Sequence, residues 1–194
     1  FAPDVEDRLK TRRSLGVADD QLLVGHIGRF TEQKNHSYLL EIFDQVLKIR
    51  KNAVLALVGS GPLVEQIKDQ ADCLGISQSV RFLGTRSDAA SLYRAFDVFC
   101  LPSLYEGLPM VGVECQASHT PILASDAVTS EAAVTSMMQF EPLSSSCLKW
   151  AERLIELSTK VCAPGDDAGL QVFEIDAAAR VLLDCYMSYL GSAD

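Results

Sequence analysis

Six short apolar runs recur along the chain, each followed by a segment of helical spacing, and this alternation limits the fold more than any other feature. The runs are Leu22 to Gly28, Val54 to Val58, Val80 to Gly84, Val98 to Leu101, Pro121 to Ala124 and Met137 to Phe140. Uninterrupted apolar stretches of that length suit strands buried on both faces of a parallel sheet. The segments between them predict helices. Asp4 to Leu15 is polar and ends at Gly16. Leu39, Leu40, Phe43 and Val46 mark a helix near 36–50. Further helices are predicted near 62–74, closed by Gly75, and from a Ser87 cap to Phe96. Another runs through Met110 and Ala117, and one follows Ser144-Ser145-Ser146 to about Thr159. Cys162 to Asp167 is the clearest loop, and a last helix is predicted near 175–190. Strands alternating with such helices give right-handed βαβ units. The expected fold is α/β, a Rossmann-like doubly wound parallel sheet of about six strands. It forms a single domain over 1–194, with a core near 20–160 and a helical extension over 165–194.

In sheets of this kind, ligands bind at the carboxyl ends of the strands. Four turn signals fall there: Gly28-Arg29, Gly59-Ser60-Gly61, Gly84 and Ser103 to Gly107. The last is the most informative. Pro102 ends a strand, Glu106-Gly107 turns, and Pro109 suits a helix start. A tight turn feeding a helix N-terminus makes an anion site, because free amides and the positive end of the helix dipole converge. Glu106 and Glu114 bracket that start. Eight helical residues span roughly 12 Å. That exceeds the about 5–9.5 Å of a glycosidase carboxylate pair, and it suits two ends of an elongated ligand. A capping carboxylate and a solvated helix face fit the spacing equally well.

Arg29 and Lys34 flank the turn after the first strand, where a fork and a point charge would suit a pyrophosphate. Each also reads as an ordinary surface cation. Gly59-Ser60-Gly61 opens like a dinucleotide fingerprint, but Val64 stands where its third glycine belongs, and no Gly-Lys-Ser/Thr follows. Those glycines read as a tight turn, or as a close approach of backbone to a ligand or helix. His36 and His119 are candidate bases without a partner visible in sequence. No G-x-S-x-G elbow supports a hydrolase.

The formal charge of −9 argues against a nucleic-acid partner and against broad attachment to an anionic membrane. Six scattered cysteines, with no C-x-x-C pair, fit buried thiols in a reducing compartment, and the three histidines lack metal-ligand spacing. No stretch reads as a membrane span or signal peptide. The abrupt start at Phe1 suggests a piece of a longer protein.

Glu106-Gly107-Leu108-Pro109 followed by Glu114 resembles the E-x7-E signature of retaining GT-B glycosyltransferases, most closely family 4, the glycosyl transferases group 1. Gly28-Arg29-Phe30 with Lys34 is similar to that family's G-R-x-x-x-x-K element. Val80 to Gly84, Asp97 to Ser103 and Pro121 to Asp126 resemble its intervening blocks. The likeness runs from about Leu22 to Phe140, and its wording is nearest to enzymes of bacterial exopolysaccharide or capsule assembly. It departs from the family pattern at three places. Asn35 and His119 stand where glycines are frequent, and Ala127-Val128-Thr129 replaces a Gly-Gly turn.

The resemblance implies the C-terminal, donor-binding half of a GT-B hexosyltransferase, active as the full-length enzyme and inactive as this piece alone. Arg29 and Lys34 would neutralise the donor's diphosphate, and Glu106 would contact the transferred sugar. Gly28, Ser103, Gly107, Leu108 and Pro109 would line the donor site, and Glu114 would bind the ribose. Arg81 and Phe82 would lie beside the base. No metal or other cofactor is expected, only a nucleoside diphosphate sugar as substrate. The partners implied are that donor, a glycan or lipid-linked acceptor, and an N-terminal acceptor domain absent from this chain. The implied location is cytoplasmic, with a peripheral place at the inner membrane face for the full-length protein. A non-catalytic nucleotide-binding module of the same fold, or a GT-B-like sugar-nucleotide epimerase, stays open as an alternative. A phosphorylase would need a pyridoxal-binding lysine, for which there is no convincing candidate.

Overall fold

The computed structural model describes residues 2–163 and 165–173. Its centre is a six-stranded parallel sheet of order β3-β2-β1-β4-β5-β6. The strands are β1 (Leu23–Ile27), β2 (Val54–Val58), β3 (Val80–Phe82), β4 (Val98–Leu101), β5 (Ile122–Ser125) and β6 (Met138–Glu141). The helices are α1 (Val5–Ser14), α2 (His36–Ile49), α3 (Val64–Cys73), α4 (Ala89–Ala95), α5 (Met110–Ala117) and α6 (Cys147–Leu157). The expected doubly wound sheet is therefore present, with every predicted strand in place. The helix predicted near 175–190 lies outside the described residues.

Alternate residues of each strand feed two cores. Val24, Leu55, Leu57, Cys100 and Leu123 pack under α2, α3 and α6, with Phe43, Ile67 and Trp150. Leu23, Val54, Ala56, Phe99 and Ile122 pack on the other face with Tyr93, Phe96 and Cys115. Gly25 is required on that second face, because a β-carbon there would lie 2.2 Å from the Phe96 ring.

The helix ends mostly follow their sequence signals. Asp4 caps α1 by accepting from the Asp7 amide at 3.0 Å, and Gly16 ends it at φ +67°. Ser146 caps α6. Ser87 does not cap α4. Asp88 occupies that position, and its carboxylate is held instead by Arg86 at 2.6 and 2.8 Å. The loop expected over Cys162 to Asp167 is also shorter than read, because a 3-10 turn begins at Asp166 and runs to Phe173. Asp166 anchors it by accepting from the Ser136 amide and hydroxyl at 2.7–2.9 Å. No local pattern announces a contact thirty residues away. No helix among the described residues is long and apolar enough to cross a membrane.

α1 has no apolar stripe and docks through arginines. Arg12, 1% exposed, donates to the carbonyls of Ala95, Ala18 and Gln21 and to Asp97 Oδ2 at 2.6–3.1 Å. Arg8 donates to the carbonyls of Arg94, Ala95 and Phe96 and to Asp97 Oδ1. The two guanidinium groups satisfy the last carbonyls of α4 at its negative end. Asp97 in turn accepts from the Leu23 amide at 2.6 Å, so the clamp reaches the first strand. Arg12→Ala is expected to lower unfolding free energy by about 1–3 kcal/mol, because it leaves the Ala95, Ala18 and Gln21 carbonyls without their donor while Asp97 keeps Arg8 and the Leu23 amide. Urea titration should show Lys48→Ala, at an exposed pair, changing it by no more than about 0.5 kcal/mol.

Candidate functional site

Strand order reverses between β1 and β4, so the crevice lies between the loops that follow them. These two loops are stitched together. The Leu104 amide donates to the Gln33 carbonyl at 2.8 Å, and Asn35 Nδ2 donates to the Pro102 carbonyl at 3.1 Å. Gln33 Nε2 donates to the Tyr105 carbonyl at 3.0 Å and to Glu106 Oε2 at 3.2 Å. At the centre Lys34 Nζ meets Glu106 Oε1 at 2.5 Å, with side chains 16% and 8% exposed. Ser103 Oγ donates to the same carboxylate oxygen at 2.8 Å. Ser103 is fixed from behind by Ser125 Oγ, which donates to its carbonyl at 2.5 Å.

Lys34 reaches this place because of its neighbour. Asn35 takes the left-handed conformation, φ 55° and ψ 44°, between a 3-10 turn over Glu32–Lys34 and α2. Asparagine tolerates that region better than most side chains, which explains its use where a glycine is frequent. Gly28 is close-packed below, since a β-carbon there would lie 2.9 Å from His26 Nε2 and 3.4 Å from the Lys34 stem. The glycines after β2 make a close approach to backbone of the neighbouring loop. They let that loop lie against the loop after β1, with positions for β-carbons 2.0 Å from the Gly28 carbonyl oxygen at Gly59 and 2.5 Å from that of Phe30 at Gly61.

α5 starts beside the carboxylate. Pro109 sits at its cap position, just before the first turn, and no side chain caps it. The amides of Met110 and Val111 therefore have no intrahelical acceptor. Gly107 is neither left-handed nor packed: a β-carbon there would meet nothing within 4 Å. Leu104, Tyr105, Leu108 and Met110 are exposed around it. A cavity of about 480 Å³ opens on the other side of Glu106, lined by Asp126, Ala127, Thr129 and Phe140 among others. Val128 bridges to Glu106 and is buried.

The remaining sequence candidates are placed less uniformly. Arg29 is exposed and makes no ion pair or side-chain hydrogen bond with a described residue. Glu114 accepts from the Tyr93 hydroxyl at 2.9 Å, across α4 and α5. Arg81 turns toward the amino end of its strand, donating to the Gln78 carbonyl at 2.7 Å. Phe82 packs near Phe30 with Lys68 over its ring. The structure brings Lys34, Ser103, Glu106 and Gly107 together, and it leaves the Arg81 side chain out of that group. Gln33 joins this group without a sequence signal of its own, its only cue being its place beside Lys34 in the same polar turn. Tyr93 gave no sequence signal.

Two buried histidines underlie the crevice. His26 Nδ1 lies 2.8 Å from the Cys100 carbonyl, an acceptor, so that nitrogen carries the proton. His36 stacks on Phe30 at 4.0 Å and meets His26 edge-on at 4.6 Å. Burial pushes His26 down to about 4. Burial, aided by the charges of His26 and Lys34, pushes His36 down to about 2. Both rings are neutral at pH 7, and His36 is no exposed base.

A family model described as "Glycosyl transferases group 1" matches residues 7–137. The chain belongs to that family. It is 39% identical over 159 residues to the putative glycosyltransferase EpsF of Bacillus subtilis, covering 79% of this chain and 40% of EpsF. It is 30% identical over 130 residues to an Escherichia coli enzyme, UDP-Gal:alpha-D-GlcNAc-diphosphoundecaprenol alpha-1,3-galactosyltransferase, covering 65% of this chain and 33% of that one. The chain thus spans less than half the length of the curated relatives it matches. Anabaena HepE, solved with UDP-glucose, superposes with a TM-score of 0.81 at 21% identity, over 97% of this chain and 54% of HepE. The sucrose-phosphate synthase of Thermosynechococcus elongatus gives a TM-score of 0.81 at 22% identity, over all of this chain and 50% of that one. The fold is the Rossmann-like one found in GT-B glycosyltransferases.

The histidine pair makes stability pH-dependent. In the unfolded chain both imidazoles take up protons near pH 6.5, while the folded rings stay neutral until far lower pH. Stability is therefore full above pH 6.5 and falls as pH drops below it. Urea titrations should show a loss of about 2–3 kcal/mol between pH 7.5 and 5.5, at roughly 1.4 kcal/mol per group per pH unit. His36→Phe should remove about half of that dependence.

Proposed function

We propose that this chain is the donor-binding part of a retaining glycosyltransferase. The full-length protein transfers a hexosyl group from a nucleoside diphosphate sugar to a glycan or lipid-linked acceptor, in polysaccharide and most specifically exopolysaccharide assembly. The observation that carries the reading is the Lys34–Glu106 pair set against an uncapped, unpacked helix start at Gly107. The diphosphate rests on the first-turn amides of α5, where the helix dipole favours an anion. Arg29, free of any described carboxylate, swings in from the β1 loop. As the phosphates arrive, Lys34 shares its charge between them and Glu106, and the carboxylate accepts hydroxyl protons of the sugar. Glu114 holds the ribose beside Tyr93.

Departure of the sugar leaves negative charge on the diphosphate. Fixed amides and cations stabilise it in place, so this step calls for no metal. The 480 Å³ cavity beside Glu106 is the space for the transferred sugar. A uridine diphosphate sugar is the favoured donor, since HepE was solved with UDP-glucose and the Escherichia coli relative is named for UDP-Gal. The protein acts in the cytoplasm, peripheral to the membrane where its acceptor is lipid-linked.

Calorimetric titration of this chain with uridine, guanosine and adenosine diphosphates tests the site directly. Weak binding of the uridine nucleotide is expected, and heat from none of the three would overturn the assignment. Gly107→Val should abolish that binding while leaving the melting temperature within about 2 °C, because its side chain points into open space in the folded chain. In the full-length enzyme, Glu106→Ala should cut kcat at least about 100-fold with the fold retained. Unchanged turnover would favour a non-catalytic module. Glu114→Ala should instead raise the donor KM by roughly tenfold or more, as expected for a lost charged hydrogen bond.

A further inference from the structure

The far end of α5 carries a second constellation. His119, just past the helix, holds the left-handed backbone of a helix C-terminal cap, φ 56°, with the Thr120 amide donating to the Cys115 carbonyl at 3.2 Å. One of its imidazole nitrogens, the Cys162 sulfur and an Asp167 carboxylate oxygen all lie within 4.8 Å of one another. His119 Nε2 stands 3.0 and 3.1 Å from the two Asp167 oxygens. A hydrogen bond alone would account for that pair. It does not account for the third ligand atom, the Cys162 sulfur, converging on the same point. Asp166 is 3.7 Å from the same sulfur, but both its oxygens are taken by the Ser136 amide.

We propose that His119, Cys162 and Asp167 bind one divalent transition metal of borderline softness, with zinc the best chemical match. One nitrogen, one sulfur and one carboxylate oxygen form a zinc-type donor set, whereas magnesium and calcium take oxygen ligands almost throughout. Ligands of a tetrahedral zinc stand roughly 3.3–3.8 Å apart, so the present spacing needs only a small adjustment. The fourth position falls to water. As the sulfur–metal bond forms, the Cys162 thiol proton leaves to solvent.

The site touches no reacting atom of the proposed transfer. Its consequence is structural. It ties the 162–167 segment to the end of α5, and so fixes one wall of a cavity of about 840 Å³ whose other lining includes Met110, Val113 and Glu114.

The test uses this chain and zinc or cobalt alone, and does not depend on the donor site. Equimolar zinc should raise the melting temperature, and dialysed protein should retain close to one zinc per chain. Cobalt should give a thiolate-to-metal charge-transfer band. Cys162→Ser should lose that band and bind zinc at least about tenfold more weakly. His119→Gly is the control for folding: its backbone accepts φ 56° without strain, so in chelator it should melt no lower than the parent, yet it should lose the zinc shift. Three results would each overturn the proposal: no zinc retained by the parent, an identical cobalt spectrum in Cys162→Ser, or an equal zinc shift in His119→Gly.

Discussion

The Lys34–Glu106 pair is the contact on which the crevice depends. A parallel sheet of this order leaves the loops after β1 and β4 side by side at the point of reversal, with nothing in the sheet to fix their relative height. A nearly buried ion pair does not supply stability cheaply, because both ions lose water. What makes it tolerable is the saturation of the carboxylate: Lys34 and Ser103 on one oxygen, Gln33 on the other. With those partners in place the pair acts as a register pin. It selects one arrangement of the two loops and sets the start of α5 beside Glu106.

The departures from the family wording become intelligible at the same level. Both residues that replace a frequent glycine, Asn35 and His119, keep the left-handed backbone that a glycine would hold. At Asn35 the exchange adds a bond to the Pro102 carbonyl, which tightens the seam between the loops. At His119 it adds a contact to Asp167. Val128, where a Gly-Gly turn is frequent, instead fills core under the bridge to Glu106.

The legible part of the sequence was whatever local pattern determines. β2 and β4 stand where their apolar runs placed them, because buried parallel strands need nothing but continuous hydrophobicity and a turn at each end. Lys34, Ser103, Glu106 and Gly107 were legible because each lies at a strand's carboxyl end, where topology gathers loops. Arg81 shows the limit. Its position in the strand was right, but the side chain bends back to Gln78, and direction along a strand is not written in spacing. Tyr93, Gln33 and the Asp166 anchor were illegible for a related reason. Each acts through a partner 21 to 73 residues away, and such pairing emerges only once the sheet has assembled.

The charge balance of the crevice bears on how the proposed diphosphate donor would be held. Lys34 is already matched by Glu106, so its positive charge is not free in the resting chain. Among the described residues of the crevice, the unmatched positive elements are Arg29 and the amides opening α5. On the proposed reading, an arriving diphosphate is caught first by the guanidinium and the helix start, and only then competes with Glu106 for Lys34. That competition has a useful sign. Each increment of charge that Lys34 gives to phosphate loosens its hold on the carboxylate, so Glu106 becomes a stronger acceptor just as the sugar's hydroxyls come within reach. On the proposed reading, a net-negative chain can in this way hold an anion at one place, through three elements that the fold sets around a single turn.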